Sequence, residues 1–195
     1  MTRAPRARAP RTAIKDDPAS AYDMTELREQ VEQRTLACIV DNEPGVLARV
    51  VGLFSARGYN IESLTVAEID RNAHQSRITI VTSGTNHVLE QIEQQLLRLV
   101  PVARVIDVTH SEGGVERELA LVKVAGSGDR RVEALRISEI FRARVIDTTN
   151  ESFIFEITGA SSKIDQFVEL MRPLGLVEVS RTGVLSIQRG KEKAG

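Results

Sequence analysis

Residues 35–41 read TLACIVD, residues 42–45 read NEPG and residues 46–57 read VLARVVGLFSAR, and this stretch decides the fold of the first half of the chain. The first seven residues are a mostly apolar run, typical of a buried strand. The last twelve place their apolar residues along one side of a helix, which Gly58 ends as a C′ residue. The segment therefore predicts a strand that enters a helix through a short polar turn.

The same alternation continues on the C-terminal side of this unit. Two strands, a second helix closed by Pro101 and a fourth strand complete the order βαββαβ, the ferredoxin-like arrangement. After a polar linker that contains two adjacent glycines, the pattern repeats. We therefore predict an α+β protein with two ferredoxin-like βαββαβ domains in tandem. The predicted segments are a disordered basic extension (1–33), a first domain (34–109), a linker (110–116), a second domain (117–190) and a tail (191–195).

Composition restricts the class of protein. No apolar run approaches the roughly 20 residues that a membrane-spanning helix needs. The single cysteine, Cys38, excludes an intrachain disulfide framework and fits a reducing compartment, so we expect a cytoplasmic protein without membrane contacts. Aromatic content of 4% and an acidic body after a basic first segment argue against nucleic-acid binding. That basic segment lacks the apolar core of a secretory signal, although an organellar transit peptide stays an alternative.

The turn between the first strand and helix is a candidate site for a carboxylate. The N-terminus of a helix presents free amide groups at the positive end of its dipole. In the plainer interpretation, Asn42 or Asp41 only caps the helix, with Pro44 in its first turn. In the functional one, edge pairing of two copies brings Asn60 and Ile61 of one copy towards Asn42 and Gly45 of the other. A free amino acid would then bind between them. The walls suit a short branched side chain and comprise Leu47, Ile61 and Ala67.

No catalytic or metal-binding constellation accompanies this turn. Cys38 lies within an apolar strand and is predicted to belong to the core. The three histidines lack metal-ligand spacing, and no Ser–His–Asp or paired-carboxylate arrangement is present. The charged segment at 116–118 is predicted to be a solvated face, and residues 23–34 have weak helical character.

The sequence resembles a known family. The first domain resembles the ACT domain of the small, regulatory subunit of acetolactate synthase (acetohydroxyacid synthase), and the resemblance extends over residues 35–189. Its most specific string is RGYNIESL. The residues that support it are NEPGVLARV (42–50), GLFS (52–55), RGYNIESL (57–64), LEQI (89–92), VERE (115–118), LVKV (121–124) and EIFR (139–142).

This resemblance implies a non-catalytic chain that forms a homodimer through its ACT domains and binds a catalytic large subunit. The large subunit would hold thiamine diphosphate, magnesium and FAD and would condense two pyruvates into 2-acetolactate and CO2. The small subunit would activate it and confer feedback inhibition by valine, or a related branched-chain amino acid, in valine, leucine and isoleucine biosynthesis. The implied effector-binding residues are Asn42, Gly45, Val46, Leu47, Asn60, Ile61 and Ala67.

Two other functions stay open at this point. A free-standing tandem amino-acid sensor could regulate another enzyme or transcription. An enzyme on a ferredoxin-like scaffold is the third hypothesis, because a fold does not determine function.

Overall fold

The computed structural model describes residues 30–109 and 114–191. Strands and helices alternate along both described parts. The strands are β1 (Val31–Asp41), β2 (Ser63–Asp70), β3 (Gln75–Thr85), β4 (Val102–Asp107), β5 (Val115–Ala125), β6 (Arg144–Thr148), β7 (Ser152–Gly159), β8 (Leu176–Arg181) and β9 (Leu185–Ile187). The helices are α1 (Val46–Arg57), α2 (Asn86–Leu96), α3 (Asp129–Phe141) and α4 (Ser161–Met171), followed by a 3₁₀ turn (Arg172–Leu174).

The first sheet has the strand order β2-β3-β1-β4, with antiparallel neighbours throughout. Leu36 lies opposite Ile80 and Cys38 opposite Ile78, and these residues pack against α1 and α2. Since side chains alternate along a strand, the residues between them point to the other side of the sheet, here called the far face. Ser63 and Thr65 of β2 lie on this far face, because Leu64 between them packs on the helix side.

The second sheet repeats this topology in the order β6-β7-β5-β8, and β9 pairs with the start of β5. The predicted fold class, two ferredoxin-like α+β domains, is therefore confirmed. Each domain has its own core between one sheet face and two helices. In the second core Phe155 and Phe167 meet edge to face, with ring centroids 6.0 Å apart.

Several predicted boundaries differ from the structure. β1 begins at Val31, so residues 31–33 of the predicted extension are strand, and residues 31–34 are not helical. β5 begins at Val115, two residues before the predicted start of the second domain at residue 117. The second strand of the first domain begins at Ser63 rather than at residue 60, because Asn60 and Ile61 lie in the connection from α1. Residues 1–29 and 110–113, which include most of the predicted extension and linker, lie outside the described residues.

Within residues 30–109 and 114–191, none of the helices has both the length and the apolar character needed to cross a lipid bilayer.

Candidate functional site

The turn at residues 42–45 is held in place by backbone hydrogen bonds. The amide of Asn42 donates to the carbonyl of His74 in the β2–β3 connection at 2.6 Å. The amide of Val46 donates to the carbonyl of Glu43 at 3.3 Å, which closes the turn on itself. Gly45 has φ +87°, a left-handed conformation that glycine adopts without strain. The turn is thus tied both to the helix that follows it and to the neighbouring strand connection.

The first amides of α1 precede the hydrogen-bonding pattern of the helix. The first hydrogen bond that follows the helical pattern runs from the amide of Arg49 to the carbonyl of Gly45 at 3.0 Å. The amides of Leu47 and Ala48 precede it, so they belong to the group of donors that a helix start leaves without an intrahelical acceptor. An anion placed at this end would also gain from the helix dipole. The arrangement is suited to a carboxylate.

The predicted side-chain cap is wrong. Gly45 occupies the N-cap position of α1, and no side chain caps the helix. Pro44 therefore precedes the helix instead of lying in its first turn. Neither Asn42 nor Asp41 performs the plainer role that the sequence suggested. The side chain of Asn42 is exposed, which leaves it accessible to a small molecule.

The remaining predicted residues lie at the two ends of the domain. Asn60 is exposed in the connection after α1, where its carbonyl accepts a hydrogen bond from the Thr82 hydroxyl at 2.6 Å. Twelve residues of α1, at about 1.5 Å each, separate the turn from this connection by roughly 18 Å. Within one chain, Asn42 and Gly45 therefore do not meet Asn60 and Ile61.

Ala67 lies towards the same end of the first sheet as the turn. β1 and β2 are both antiparallel to β3, so they run in the same direction and end at the same side of the sheet. Ala67 is exposed, three residues before the end of β2, which is also an edge strand. The structure thus groups Asn42, Gly45 and the end of β2, and it sets Asn60 and Ile61 at the opposite end.

The first two residues of α1, Val46 and Leu47, differ in side-chain burial. Val46 is buried at 7% exposure within the first core, so it can offer a ligand only backbone atoms. Leu47 is 39% exposed and presents an apolar side chain beside the turn. Ile61 is half-buried against the core. Of the predicted apolar residues, Leu47 therefore lies beside the turn, Ile61 lies at the opposite end of the domain, and Ala67 lies on the far face with Ser63 and Thr65.

Cys38 and the possible metal ligands can be compared with the predictions made for them. Burial raises the pKa of the Cys38 thiol to about 12, with a smaller opposing effect of Arg77, which suppresses the reactive thiolate at neutral pH. The prediction that Cys38 belongs to the core is confirmed. In the parts of the chain that the structure describes, no group of three or more His, Cys, Asp or Glu residues is arranged to hold a metal ion.

The sequence missed a polar network in the second domain. Glu118, predicted to lie on a solvated face, is buried at 4% exposure. Its carboxylate accepts from Arg181 Nε at 2.8 Å and Nη2 at 2.5 Å, and from the Ser161 hydroxyl at 3.0 Å. Arg181 Nη1 also donates to Asp165 at 2.6 Å. Nothing local in the sequence signals this network, because Arg181 lies 63 residues from Glu118.

The network borders a cleft between the two domains. The cleft has a volume of about 620 Å³ and is lined from the first domain by Gln33, Thr35, Glu62, Ser63, Leu64 and Val81. Beside it, residues 183–184 of the second domain contact β2 directly. The amide of Val184 donates to the Ser63 hydroxyl at 2.9 Å, and the Thr65 hydroxyl donates to the carbonyl of Val184 at 3.0 Å.

Comparison with known proteins places both domains in one group. Residues 36–104 match a family model described as the AHAS small subunit-like ACT domain. Residues 117–190 match a model described as the small subunit of acetolactate synthase.

Individual relatives agree with these matches. The chain is 45% identical over 161 residues to a probable acetolactate synthase small subunit of Archaeoglobus fulgidus, covering 83% of this chain and 99% of the relative. It is 48% identical over 159 residues to the small subunit of acetolactate synthase isozyme 3 of Escherichia coli, covering 81% and 96%. The crystal structure of the acetolactate synthase small subunit of Thermotoga maritima aligns with a TM-score of 0.73 at 38% identity, covering 83% and 99%.

Proposed function

Because the chain belongs to the family of acetolactate synthase small subunits, we propose that it activates the catalytic large subunit and makes it sensitive to inhibition by valine. The family assignment gives this chain a regulatory, non-catalytic role beside a large subunit. In the proposal, thiamine diphosphate, magnesium and FAD are bound by that large subunit, which condenses pyruvate into acetolactate. The chain itself acts in the cytoplasm as a homodimer that binds valine or a related branched-chain amino acid.

One observation supports the effector site above all others: the two halves of the predicted site lie at opposite ends of the edge strand β2. If β2 of two copies pairs in the antiparallel direction, the start of one strand lies beside the end of the other. The partner's Asn60 and the partner's Ile61 would then approach Asn42, Gly45 and Ala67. The two halves of the site are too far apart to meet within one chain, but antiparallel pairing of two chains would bring them together.

Comparison of the four edge strands, β2, β4, β6 and β8, favours β2 as the dimer contact, because β2 has the longest unbroken register. β2 pairs with β3 in regular register from Ser63 to Glu68, and its outer edge carries the exposed residues Val66 and Ile69, each 48% exposed. β6, the corresponding edge of the second domain, has five residues, and its register breaks between Val145 and Asp147. Bulges in short strands hinder pairing with another chain, whereas a long regular edge permits it.

The chemistry of an amino acid fits the groups at this proposed interface. Its carboxylate would accept hydrogen bonds from the amides at the start of α1, near Gly45. Its ammonium needs acceptors, and the side-chain oxygens of Asn42 and of the partner's Asn60 are of that kind. Leu47 and the partner's Ile61 would contact the aliphatic side chain, with Ala67 nearby towards the end of β2. Such a wall discriminates by only about 1–3 kcal/mol per methylene, so leucine and isoleucine should compete with valine.

Inhibition requires that valine bind two states of the complex unequally. A ligand with the same affinity for the activating and the inhibited arrangement would not shift the equilibrium between them. Couplings of this kind are typically about 1–3 kcal/mol, and they are reciprocal. Binding of the large subunit should therefore change the valine affinity of the small subunit by the same factor.

Intersubunit complementation tests the composite site. In Gly45→Asp, a carboxylate replaces and repels that of valine, and in Asn60→Ala an ammonium acceptor is lost. Calorimetry should show valine binding by the wild-type chain and little by either variant alone. When the two variants are unfolded together and refolded, half of the dimers are mixed, and each mixed dimer has one site without either substitution. We expect roughly a quarter of the wild-type valine sites to return.

The matched control is Gly52→Asp, which adds the same charge to an exposed position of α1 where a new Cβ meets no atom within 4 Å. This variant should bind valine as the wild type does. If the mixture of Gly45→Asp and Asn60→Ala recovers no binding although each chain dimerises, the site does not span two chains. If the wild-type chain binds no branched-chain amino acid, the effector assignment fails.

A further inference from the structure

The contact between the two domains includes a short loop that lies on β2. Val184, which precedes β9, is buried at 7% exposure and exchanges hydrogen bonds with the hydroxyl groups of Ser63 and Thr65. We call Ser63, Thr65, Gly183 and Val184 the seam. Hydrogen bonds to side chains on two successive far-face positions fix both the position and the direction of the loop along the strand.

Gly183 makes this close approach sterically feasible. It has φ +83°, and a Cβ at this residue would lie 2.8 Å from the Ser63 hydroxyl oxygen and 2.9 Å from the Thr65 methyl carbon. A side chain would therefore meet both backbone strain and the surface of the first domain. A residue larger than glycine would have to displace the Ser63 hydroxyl and the Thr65 methyl group and would also strain the left-handed backbone.

On its other side the seam is anchored in the second domain. The amide of Thr182 donates to the carbonyl of Leu119 at 3.0 Å, and the amide of Leu119 donates to the Thr182 hydroxyl at 3.1 Å. Arg181, one residue earlier, holds the buried carboxylate of Glu118. A displacement of the loop must therefore move β5 and β8 with it or break these hydrogen bonds.

The seam also adjoins the proposed effector site. Ile61 lies in the connection just before β2, and Ser63, two residues later, is the first residue of the strand. A ligand that fixes Asn60 and Ile61 would also restrict the strand to which Val184 is bound. Energetic coupling requires an element whose two arrangements are favoured unequally by the two sites. The contact of Val184 with Ser63 and Thr65, two hydrogen bonds and one buried apolar side chain, is the candidate for such an element.

We propose that the seam couples the effector site of the first domain to the second domain, so that valine binding and closure of the Val184 loop on β2 bias each other. This inference rests on the proposed function. It assigns the role of positioning residues to Ser63, Thr65 and Gly183, none of which needs to touch the ligand. Valine would change the position of the second domain by changing how firmly β2 holds the loop.

Calorimetry on the full chain tests the coupling. Gly183→Ala strains the backbone and crowds Ser63 and Thr65, which disfavours the closed loop, and Ser63→Ala, a milder change, removes the acceptor of the Val184 amide. Both variants should change the Kd for valine about tenfold relative to the wild type, the middle of the usual range for such coupling. Gly190→Ala is the matched control, because Gly190 also has a positive φ, +102°, but a new Cβ there meets no atom within 4 Å.

Hydrogen exchange followed by mass spectrometry supplies a second readout at the seam itself. The exchange rate of the Val184 amide in the wild-type chain should change on addition of valine by about the same factor as the affinity. Amides around Gly190 should not respond. In Ser63→Ala the Val184 amide should exchange faster, whether or not valine is present.

The outcomes separate the two proposals. An altered Kd in Gly183→Ala and Ser63→Ala, with an unaltered Kd in Gly190→Ala, supports the coupling. Valine binding by the wild type with the same Kd in all variants and no response of the Val184 amide overturns the coupling and leaves the proposed function intact. Absence of valine binding by the wild type overturns the proposed function, and the coupling with it.

Discussion

Replacement of Arg181 by methionine should destabilise the second domain, because it leaves the buried carboxylate of Glu118 without its main partner. Glu118 has a side chain that is 5% exposed, and Arg181 provides two of the hydrogen bonds to its oxygens. The hydrogen bond to Glu118 is also the principal cause of the raised pKa of Arg181. In Arg181→Met the Ser161 hydroxyl would be the one remaining donor to the carboxylate among residues 30–109 and 114–191.

The expected loss in the free energy of unfolding depends on how deeply the Glu118–Arg181 pair is buried. Removal of one partner of a fully buried ion pair costs about 3–5 kcal/mol. The side chain of Arg181 is 35% exposed, so water reaches the site in the variant, and we expect a loss of about 2 kcal/mol. With a urea m value of about 1–2 kcal/mol/M for a small domain, the midpoint of unfolding should fall by roughly 1–2 M. Hydrogen exchange of β5 amides at increasing urea concentration would report this domain alone.

The control is Arg144→Met, which removes the partner of Glu156 in a pair whose arginine is 75% exposed. An exposed pair of this kind contributes about 0–1 kcal/mol, so the shift should be small. In addition, Glu118→Met combined with Arg181→Met should recover part of the lost stability, because an apolar pair leaves no buried charge. If Arg181→Met costs no more than Arg144→Met, the reasoning on burial is refuted.

Three further predictions concern other parts of the fold. Burial raises the pKa of the Cys38 thiol from the ordinary value of 9.0 to about 12. The free energy of unfolding should therefore fall as pH rises above 9, by at most about 1.4 kcal/mol per pH unit. Urea titrations of wild type and Cys38→Val should diverge across this range, and parallel curves would contradict the assignment. Gly175→Ala should lower the free energy of unfolding by more than about 3 kcal/mol, since a Cβ there would lie 1.9 Å from the Ala125 carbonyl oxygen. The control Gly190→Ala should lower it by about 1 kcal/mol or less, and equal urea midpoints for the two variants would count against this difference. Val66→Lys should convert a dimer into monomers in analytical ultracentrifugation, while Ile146→Lys on β6 should not, and dimers in both would exclude β2 as the contact.

The sequence predicted most of the fold because its local patterns agree with the tertiary structure. The apolar run at β1 and the one-sided pattern of α1 needed no distant information, and Gly58 ends α1 in the left-handed conformation as expected. The helix cap was predicted wrongly because a Gly45 backbone turn, with the Val46 amide bound to Glu43, replaces a side-chain cap. Burial of Glu118 was also missed, because its cause is a partner 63 residues away.

The candidate site was predictable only in its parts. The sequence identifies a turn suited to a carboxylate and an asparagine after a helix-ending glycine. It does not give the distance between them, which the length of α1 sets at roughly 18 Å. Nor does it reveal that residues 183–184 lie on β2, since the hydrogen bonds that join them connect residues about 120 positions apart.

The difference among the edge strands bears on how large an assembly can become. A molecule with two strands equally ready to accept a neighbour would add copies at both ends and grow into a fibre. Here β2 keeps one register with β3 from Ser63 to Glu68, whereas β4, β6 and β8 each have a register shift after at most four paired residues. If two copies pair through β2, the remaining edges offer a further copy only shorter stretches of regular strand, which disfavours continued growth by strand addition.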